Sequence, residues 1–146
     1  MSVPQAISLV TLGVADVRAS TRFYEALGFP LSPASVEGDV SFFKTVGGLL
    51  GLYGAEDLRT DAQAGPAAAP GHFRGVTLAI NVADRATVDV SLATARQAGA
   101  TITKPPQPTE WGGYHGYFAD PDGHAWEVAH NPFWPLDDAG LPQLPA

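Results

Sequence analysis

The chain has 146 residues, and its 8 Lys and Arg against 15 Asp and Glu give a formal net charge of −7. This acidic balance, with the basic residues scattered, argues against nucleic acid as a partner. Cysteine is absent, which excludes a disulfide framework, a thiolate zinc site and a cysteine nucleophile. There is no signal-peptide pattern and no apolar run of the roughly 18 residues that a membrane span needs. We therefore expect a cytoplasmic protein that binds neither membrane nor nucleic acid.

Two similar halves follow one another along the chain. An alternating apolar run ends at Asp16, and a helix-compatible stretch follows that Gly28 closes; the same order recurs at Asp84 and Gly99. Aspartate at these positions can cap the following helix, and glycine can take the left-handed conformation that ends it. Further strands are predicted over residues 41–46, 49–53, 114–119 and 125–130. The pattern predicts strand–helix–strand–strand–strand (βαβββ), twice.

The segments between the predicted strands contain proline and glycine. Module one is predicted over residues 6–59 and module two over residues 72–130, joined by an irregular connector, 60–71, and followed by a Pro-rich tail, 131–146. Residues 105–108 (Pro-Pro-Gln-Pro) are predicted as a loop, because proline lacks the N–H that a strand ladder needs. The apolar tail residues Phe133, Trp134 and Leu136 are expected to cover their own module or a partner subunit.

The segment Asp120–Gly123 predicts a four-residue turn between the last two strands. With that turn, residue 116 lies opposite Glu127 and His115 lies opposite Val128, so Tyr114 and Phe118 are predicted to share a face with Glu127. His115 then faces away from Glu127, and structural or surface roles are favoured for it, as for His124 and His130.

Four motifs resemble the vicinal-oxygen-chelate superfamily, which includes glyoxalase I, extradiol dioxygenases and bleomycin-resistance proteins. They lie at residues 12–16, 20–29, 80–84 and 120–128, and the resemblance covers residues 6–130. It implies an α+β fold in which two βαβββ modules form a curled mixed sheet around a ligand cavity, with helices on the outer face. It also implies a homodimer.

Metal-dependent members of this superfamily hold a divalent ion with one side chain from the first and one from the last strand of each module. The matching positions here are Leu9, Gly51 (or its neighbours), Thr77 and Glu127. Only Glu127 is a suitable ligand, and a catalytic ion needs three or four N, O or S donors. We therefore predict no metal cofactor, with a divalent metal held partly by Glu127 as the less favoured alternative.

The resemblance and the predicted register together suggest a mostly apolar cavity with a few polar groups, which is typical of a small-molecule site. Glu127 is the only candidate catalytic residue, as a general base. The expected ligand-binding residues are Glu127, Tyr114, Trp111, Tyr53, Thr77, Asn81, Thr11 and Phe118, although core packing is the favoured role of Phe118. Trp111, beside two glycines, is expected to form a mobile aromatic lip.

The function predicted on this basis is metal-independent binding of an aromatic or amphiphilic small molecule, as in resistance-type relatives. The alternative is a metal-dependent lyase, isomerase or dioxygenase resembling glyoxalase, so whether the chain is an enzyme stays open. A dimerisation module without a ligand is a third possibility.

Overall fold

The first module is a three-stranded mixed sheet with helices. The computed structural model describes residues 2–69 and 71–146. The elements of this module are β1(Leu9–Val14), α1(Val17–Ala26), β2(Val40–Thr45), β3(Gly48–Gly54) and α2(Ala55–Asp61). The strand order is β1-β3-β2, with β1 parallel and β2 antiparallel to β3. The predicted βαβββ order has one strand more than these three, and between α1 and β2 the structure has instead two isolated bridges, Leu31–Phe43 and Val36–Val40.

The core of the first module lies between its sheet and α1. Tyr24, Phe43 and Leu52 are fully buried there, and Asp16 caps α1 by accepting from the amide of Ala19. The predicted cap is therefore confirmed. The opposite face of the sheet carries Thr11 and Tyr53, as expected from the alternation of side chains along a strand.

Helix α2 was not predicted. Residues 55–59 were placed in module one without a helix or strand, and Thr60 and Asp61 were placed in the irregular connector. It packs at the end of β1, where a Cβ on Gly13 would lie 3.1 Å from Ala55 Cα. That close approach favours glycine in the strand. Pro70, which belongs to the predicted connector, lies outside the described residues.

The second module has the complete βαβββ order. Its elements are β4(Thr77–Asn81), α3(Arg85–Ala98), β5(Thr101–Pro108), β6(Tyr114–Ala119) and β7(Ala125–His130), and its strand order is β4-β7-β6-β5. Asp84 caps α3 through the Thr87 amide, and Gly99 ends it in the left-handed conformation, as predicted. Val88, Leu92 and Ala95 form the buried stripe of α3. The predicted α+β class and its two modules are confirmed, and each module has its own mixed sheet.

Strand β5 replaces the loop predicted over residues 105–108. The strand pairs with β6 alone and forms the outer edge of the sheet, where missing N–H donors are tolerated. Its register shifts between Ile102 and Lys104 and again between Lys104 and Gln107. These irregularities accommodate Pro105 and Pro106, and they leave Lys104 opposite Tyr117.

The register predicted for β6 and β7 is wrong by one residue. Tyr117, not Gly116, lies opposite Glu127, and His115 lies opposite Ala129. The connection has five residues, 120–124, since Ala119 pairs with Ala125, and the Asp120 amide donates to the His124 carbonyl within it. A one-residue change exchanges the two faces of a strand, so His115 lies on the same face as Glu127.

The chain divides into two compact units, Met1–Ala67 and Ala68–Ala146, and the division falls within the predicted connector. The tail belongs to the second unit, where the ring of Phe133 lies against Gly112. Phe133 nevertheless keeps 62% of its surface exposed. Within residues 2–69 and 71–146, no helix has the length and apolar character to cross a membrane.

Candidate functional site

A chain of three polar side chains crosses the face of the second sheet that points away from α3. The Nζ atom of Lys104 lies 3.0 Å from His115 Nε2, and His115 Nδ1 lies 2.6 Å from Glu127 Oε2. The three residues come from neighbouring strands, β5, β6 and β7, so their side chains meet across the sheet. We refer to this group as the Lys104–His115–Glu127 chain.

The orientation of the imidazole is fixed at both nitrogens. A carboxylate only accepts hydrogen bonds, so His115 Nδ1 carries a proton and donates it to Glu127. His115 is only 8% exposed, which limits the water that could replace either partner. One further proton lies between Lys104 Nζ and His115 Nε2. The chain is thus a connected path for a proton from the β5 edge to the Glu127 carboxylate.

Tyr117 completes the polar group next to Glu127. Burial raises the pKa of the Tyr117 phenol, and the negative charge of Glu127 and a hydrogen bond to its carboxylate raise the pKa further. The Tyr117 ring also meets the His115 imidazole nearly edge-on, with centroids 5.3 Å apart. Tyr117 therefore stays a neutral donor to Glu127 at physiological pH.

Trp111 lies beside this chain, in the short loop between β5 and β6. Its ring meets the His115 ring edge-on at 6.1 Å and remains 46% exposed. The indole folds back over Gly113, where a Cβ would lie 2.0 Å from Trp111 Cζ3 and 2.8 Å from the His130 carbonyl oxygen, so glycine is strongly favoured there. Thr109 holds the loop, since its hydroxyl accepts from the Gly113 amide. Trp111 thus presents an apolar surface next to buried polar groups.

Two predicted ligand-binding residues lie on the other face of the sheet. The Tyr114 hydroxyl donates to Asp89 of α3 at 2.7 Å, with the Arg85 guanidinium 5.1 Å above the ring centroid. Phe118 is 2% exposed and stacks on Trp126. The prediction that Tyr114 and Phe118 share the Glu127 face is therefore wrong, and the physical reason is the five-residue connection.

The remaining predicted residues lie on the expected faces of their own sheets. In β4, Thr77 pairs with Ala125 and Asn81 with Ala129, so both share a face with Glu127. In the first module, Thr11 lies opposite Gly51, and Tyr53 lies opposite Gly13.

Sequence reasoning missed Lys104, His115 and Tyr117 as site residues. Lys104 directly precedes the segment 105–108, which was predicted as a loop, and lay in no predicted strand. The two β6 residues were assigned to the wrong face. The Asp120 side chain could have revealed the longer connection, because it accepts from the amides of Asp122 and His124 within the turn. An aspartate at that position is a common turn signal.

The metal site implied by the superfamily does not fit these residues. Leu9 and Gly51 offer no donor in the first module, and the space beside Gly51 is lined by Leu9, Thr11 and Phe42. In the second module Thr77 offers only a hydroxyl, and Glu127 is held by His115. In the part of the chain that the structure describes, no three His, Asp or Glu residues are grouped to hold an ion.

Comparisons with known proteins agree with this fold. A glyoxalase-related enzyme from Fulvimarina pelagi is 33% identical, with a TM-score of 0.84 over 97% of this chain and 99% of that chain. A lactoylglutathione lyase from Agrobacterium tumefaciens is 26% identical, with a TM-score of 0.68 over 92% of this chain and 99% of that one. A glyoxalase/bleomycin resistance protein/dioxygenase from Nocardioides is 26% identical, with a TM-score of 0.74 and coverage of 89% and 85%.

No curated protein matches the chain. The model of the Glyoxalase/Bleomycin resistance protein/Dioxygenase superfamily matches residues 6–128, which carry the three helices and strands β1 to β6 and end within β7. The predicted resemblance is confirmed, and the chain belongs to this vicinal-oxygen-chelate superfamily.

Proposed function

We propose that the chain binds a small organic molecule without a metal ion, on the face of the second sheet that carries the Lys104–His115–Glu127 chain. The 2.6 Å contact between His115 and Glu127 carries this proposal. This contact uses Glu127, which is the one suitable ligand among the four positions that bind metal in the superfamily. The other three positions are occupied by Leu9, Gly51 and Thr77. Glu127 therefore orients an imidazole instead of coordinating an ion.

The side chains on this face indicate the class of ligand. Trp111 offers an exposed ring surface that suits an aromatic or other planar group. The Lys104 ammonium offers charge-assisted hydrogen bonds to a carbonyl or carboxylate oxygen. Thr77 and Asn81, on the strand beyond Glu127, add hydroxyl and amide groups. A planar molecule with an oxygen acceptor satisfies these groups together.

The metal part of the proposal is tested by comparing wild type with Glu127→Gln. We expect Ni²⁺, Zn²⁺ and Fe²⁺ to change the melting temperature of both proteins equally, because the donor set is insufficient for a divalent ion. Elemental analysis of freshly purified protein is expected to show no stoichiometric metal. Stoichiometric metal that disappears in Glu127→Gln would support the alternative, a metal-dependent lyase, isomerase or dioxygenase.

The ligand part is tested by a thermal-shift screen of planar carbonyl and carboxylate compounds. A compound present at about 100 times its Kd is expected to stabilise the protein by roughly 2.7 kcal/mol. Trp111→Ala should abolish that response, whereas Trp134→Ala, which changes a half-exposed tryptophan of the tail, should retain it. The absence of a response to any compound would favour a dimerisation module without a ligand.

A further inference from the structure

We propose that Lys104 is a carbonyl-reactive amine, which forms an iminium bond with an aldehyde or ketone bound beside Trp111. The inference rests on the proposed function, since it assigns a chemistry to the same site. Its basis is the order of groups in the Lys104–His115–Glu127 chain, in which an amine contacts an imidazole that a carboxylate orients.

The geometry is that of an activated nucleophile. A nucleophile and its base usually lie about 2.6–3.2 Å apart, with a third group orienting the base. The Lys104 Nζ to His115 Nε2 distance is 3.0 Å, and the His115 Nδ1 to Glu127 Oε2 distance is 2.6 Å. Both contacts fall in that range, and they use opposite nitrogens of one ring.

The chain can produce a neutral amine without exchanging a proton with solvent. When the proton between Lys104 Nζ and His115 Nε2 moves to the imidazole, the amine becomes neutral and the total charge of the chain is unchanged. The ordinary pKa of a lysine ammonium lies about four units above that of an imidazolium, so this transfer is unfavourable in water. Here the imidazolium that the transfer produces lies directly against a negative charge, because its Nδ1 atom is 2.6 Å from Glu127 Oε2.

The reaction balances with these groups alone. The neutral Nζ forms a bond to the carbonyl carbon, the π electron pair moves to oxygen, and one nitrogen proton is transferred to that oxygen to give a carbinolamine. The hydroxyl then leaves as water, with the proton that His115 received, and the nitrogen lone pair forms the C=N bond. The ammonium and the carbonyl compound have become an iminium ion and one water, and His115 is neutral again.

The composition of the chain makes the test unusually selective. The sequence has two lysines, Lys44 and Lys104, besides the N-terminal amine. Lys44 lies on β2 in the first module with its side chain exposed, so it serves as an internal reference. Within residues 2–69 and 71–146, no histidine or carboxylate forms a hydrogen bond or ion pair with the Lys44 side chain. Lys44 therefore reports the reactivity of an ordinary lysine.

The experiment traps the iminium ion with cyanoborohydride. The full chain is incubated with benzaldehyde and cyanoborohydride at neutral pH, digested, and the benzylated peptides are quantified by mass spectrometry. We expect Lys104 to be labelled at least about tenfold faster than Lys44, because a positioned base typically contributes a hundredfold or more. Lys104→Arg should leave only the labelling of the N-terminal amine and the slow labelling of Lys44, and Lys44→Arg should leave Lys104 labelling unchanged.

Further outcomes separate the amine chemistry from ligand binding. His115→Gln should reduce the labelling rate of Lys104 to that of Lys44. In wild type, the ratio of the two labelling rates tests the reactivity of Lys104 without any variant. Equal labelling of Lys44 and Lys104 in wild type would overturn the proposal. If benzoate, which forms no iminium ion, still raises the melting temperature in a Trp111-dependent manner, the binding function stands and only the reactive amine is refuted. If benzoate and benzaldehyde both fail to stabilise the protein and Lys104 is not selectively labelled, both proposals are refuted for this ligand class.

Discussion

Tyr117 is the residue whose ionisation reports most directly on the site. Its phenol lies opposite Glu127 across two neighbouring strands. Burial is the largest cause of its raised pKa, and the Glu127 charge and hydrogen bond follow. Ionising Tyr117 would place a second negative charge beside a carboxylate that His115 already holds in position. The folded protein therefore favours the neutral phenol.

We predict that the Tyr117 phenolate forms at a higher pH than that of an ordinary tyrosine, whose pKa is about 10. Because the folded pKa is raised, the stabilisation from Tyr117 is fully present below about pH 10 and is lost as the pH rises through the folded pKa. Glu127→Gln should lower the pKa of Tyr117, since it removes a negative charge. Ultraviolet absorbance during an alkaline titration measures this, with Tyr117→Phe to assign the signal.

Tyr114 is the internal control for that titration. Its pKa is raised mainly by its hydrogen bond to Asp89, on the other face of the sheet. Glu127→Gln should therefore leave the pKa of Tyr114 unchanged. If the pKa of Tyr117 is also unchanged in Glu127→Gln, the Glu127 carboxylate does not raise the pKa of this phenol.

Individual site residues were predictable only where a motif marked them. Glu127 lies in a family motif, and the alternation of β4 places Thr77 and Asn81 on its face without further information. His115 and Lys104 depend on the length of one turn and on two shifts in the register of β5. Such features are set by backbone hydrogen bonds within loops and edges, and residue patterns specify them weakly.

Among the elements, α3 and β6 make an unusually close contact. A Cβ on Gly116 would lie 2.3 Å from Leu92 Cδ1 and 2.8 Å from the Lys104 carbonyl oxygen. The side chain of Leu92 could turn away, but the backbone of β5 has little freedom because the strand is paired with β6. Glycine at this position thus sets the distance of both α3 and β5 from β6.

We predict that Gly116→Ala destabilises the protein by about 1–3 kcal/mol, the usual cost of overpacking a core. Urea denaturation followed by circular dichroism measures the change. Gly65→Ala is the matched control, because nothing lies within 4 Å of a Cβ at Gly65. An equal effect of both substitutions would mean that the contact with Leu92 and Lys104 does not restrict residue 116.

Elements that depend on local chemistry were predictable, and those that depend on tertiary pairing were not. The aspartates that cap α1 and α3 act within one helical turn of their own position. Helix α2 and strand β5 have unfavourable or ambiguous local patterns, and the neighbours that stabilise them are distant in sequence or lie in another element. A Pro-rich segment reads as a loop until the sheet that it borders is known.

At the scale of the whole molecule, the internal repeat was the feature best predicted from the sequence, since the two halves share capped helices and alternating strands. In the first module the strand equivalent to β5 is reduced to the Leu31–Phe43 bridge. The polar chain is thus confined to the second module, because β5 supplies its lysine. The two halves have diverged in the element that carries the proposed chemistry.

We propose that the chain forms a homodimer, as the superfamily resemblance implies. Multi-angle light scattering at micromolar concentration should give twice the chain mass of 15.2 kDa. Phe133 is 62% exposed although it contacts Gly112. If the tail covers a partner subunit, Phe133→Ser should raise the dimer dissociation constant, and Val90→Ser, on the exposed side of α3, should not. A monomeric mass for wild type would contradict the proposal.

Strand β5 also has a consequence for the behaviour of the protein in concentrated solution. Three of its last four residues are proline, so its outer edge presents few amide hydrogens to another polypeptide. An intruding peptide could not extend the sheet there by main-chain pairing, which is the usual first step toward fibrils. The prolines that made this strand difficult to predict from the sequence thus also disfavour aggregation through its edge.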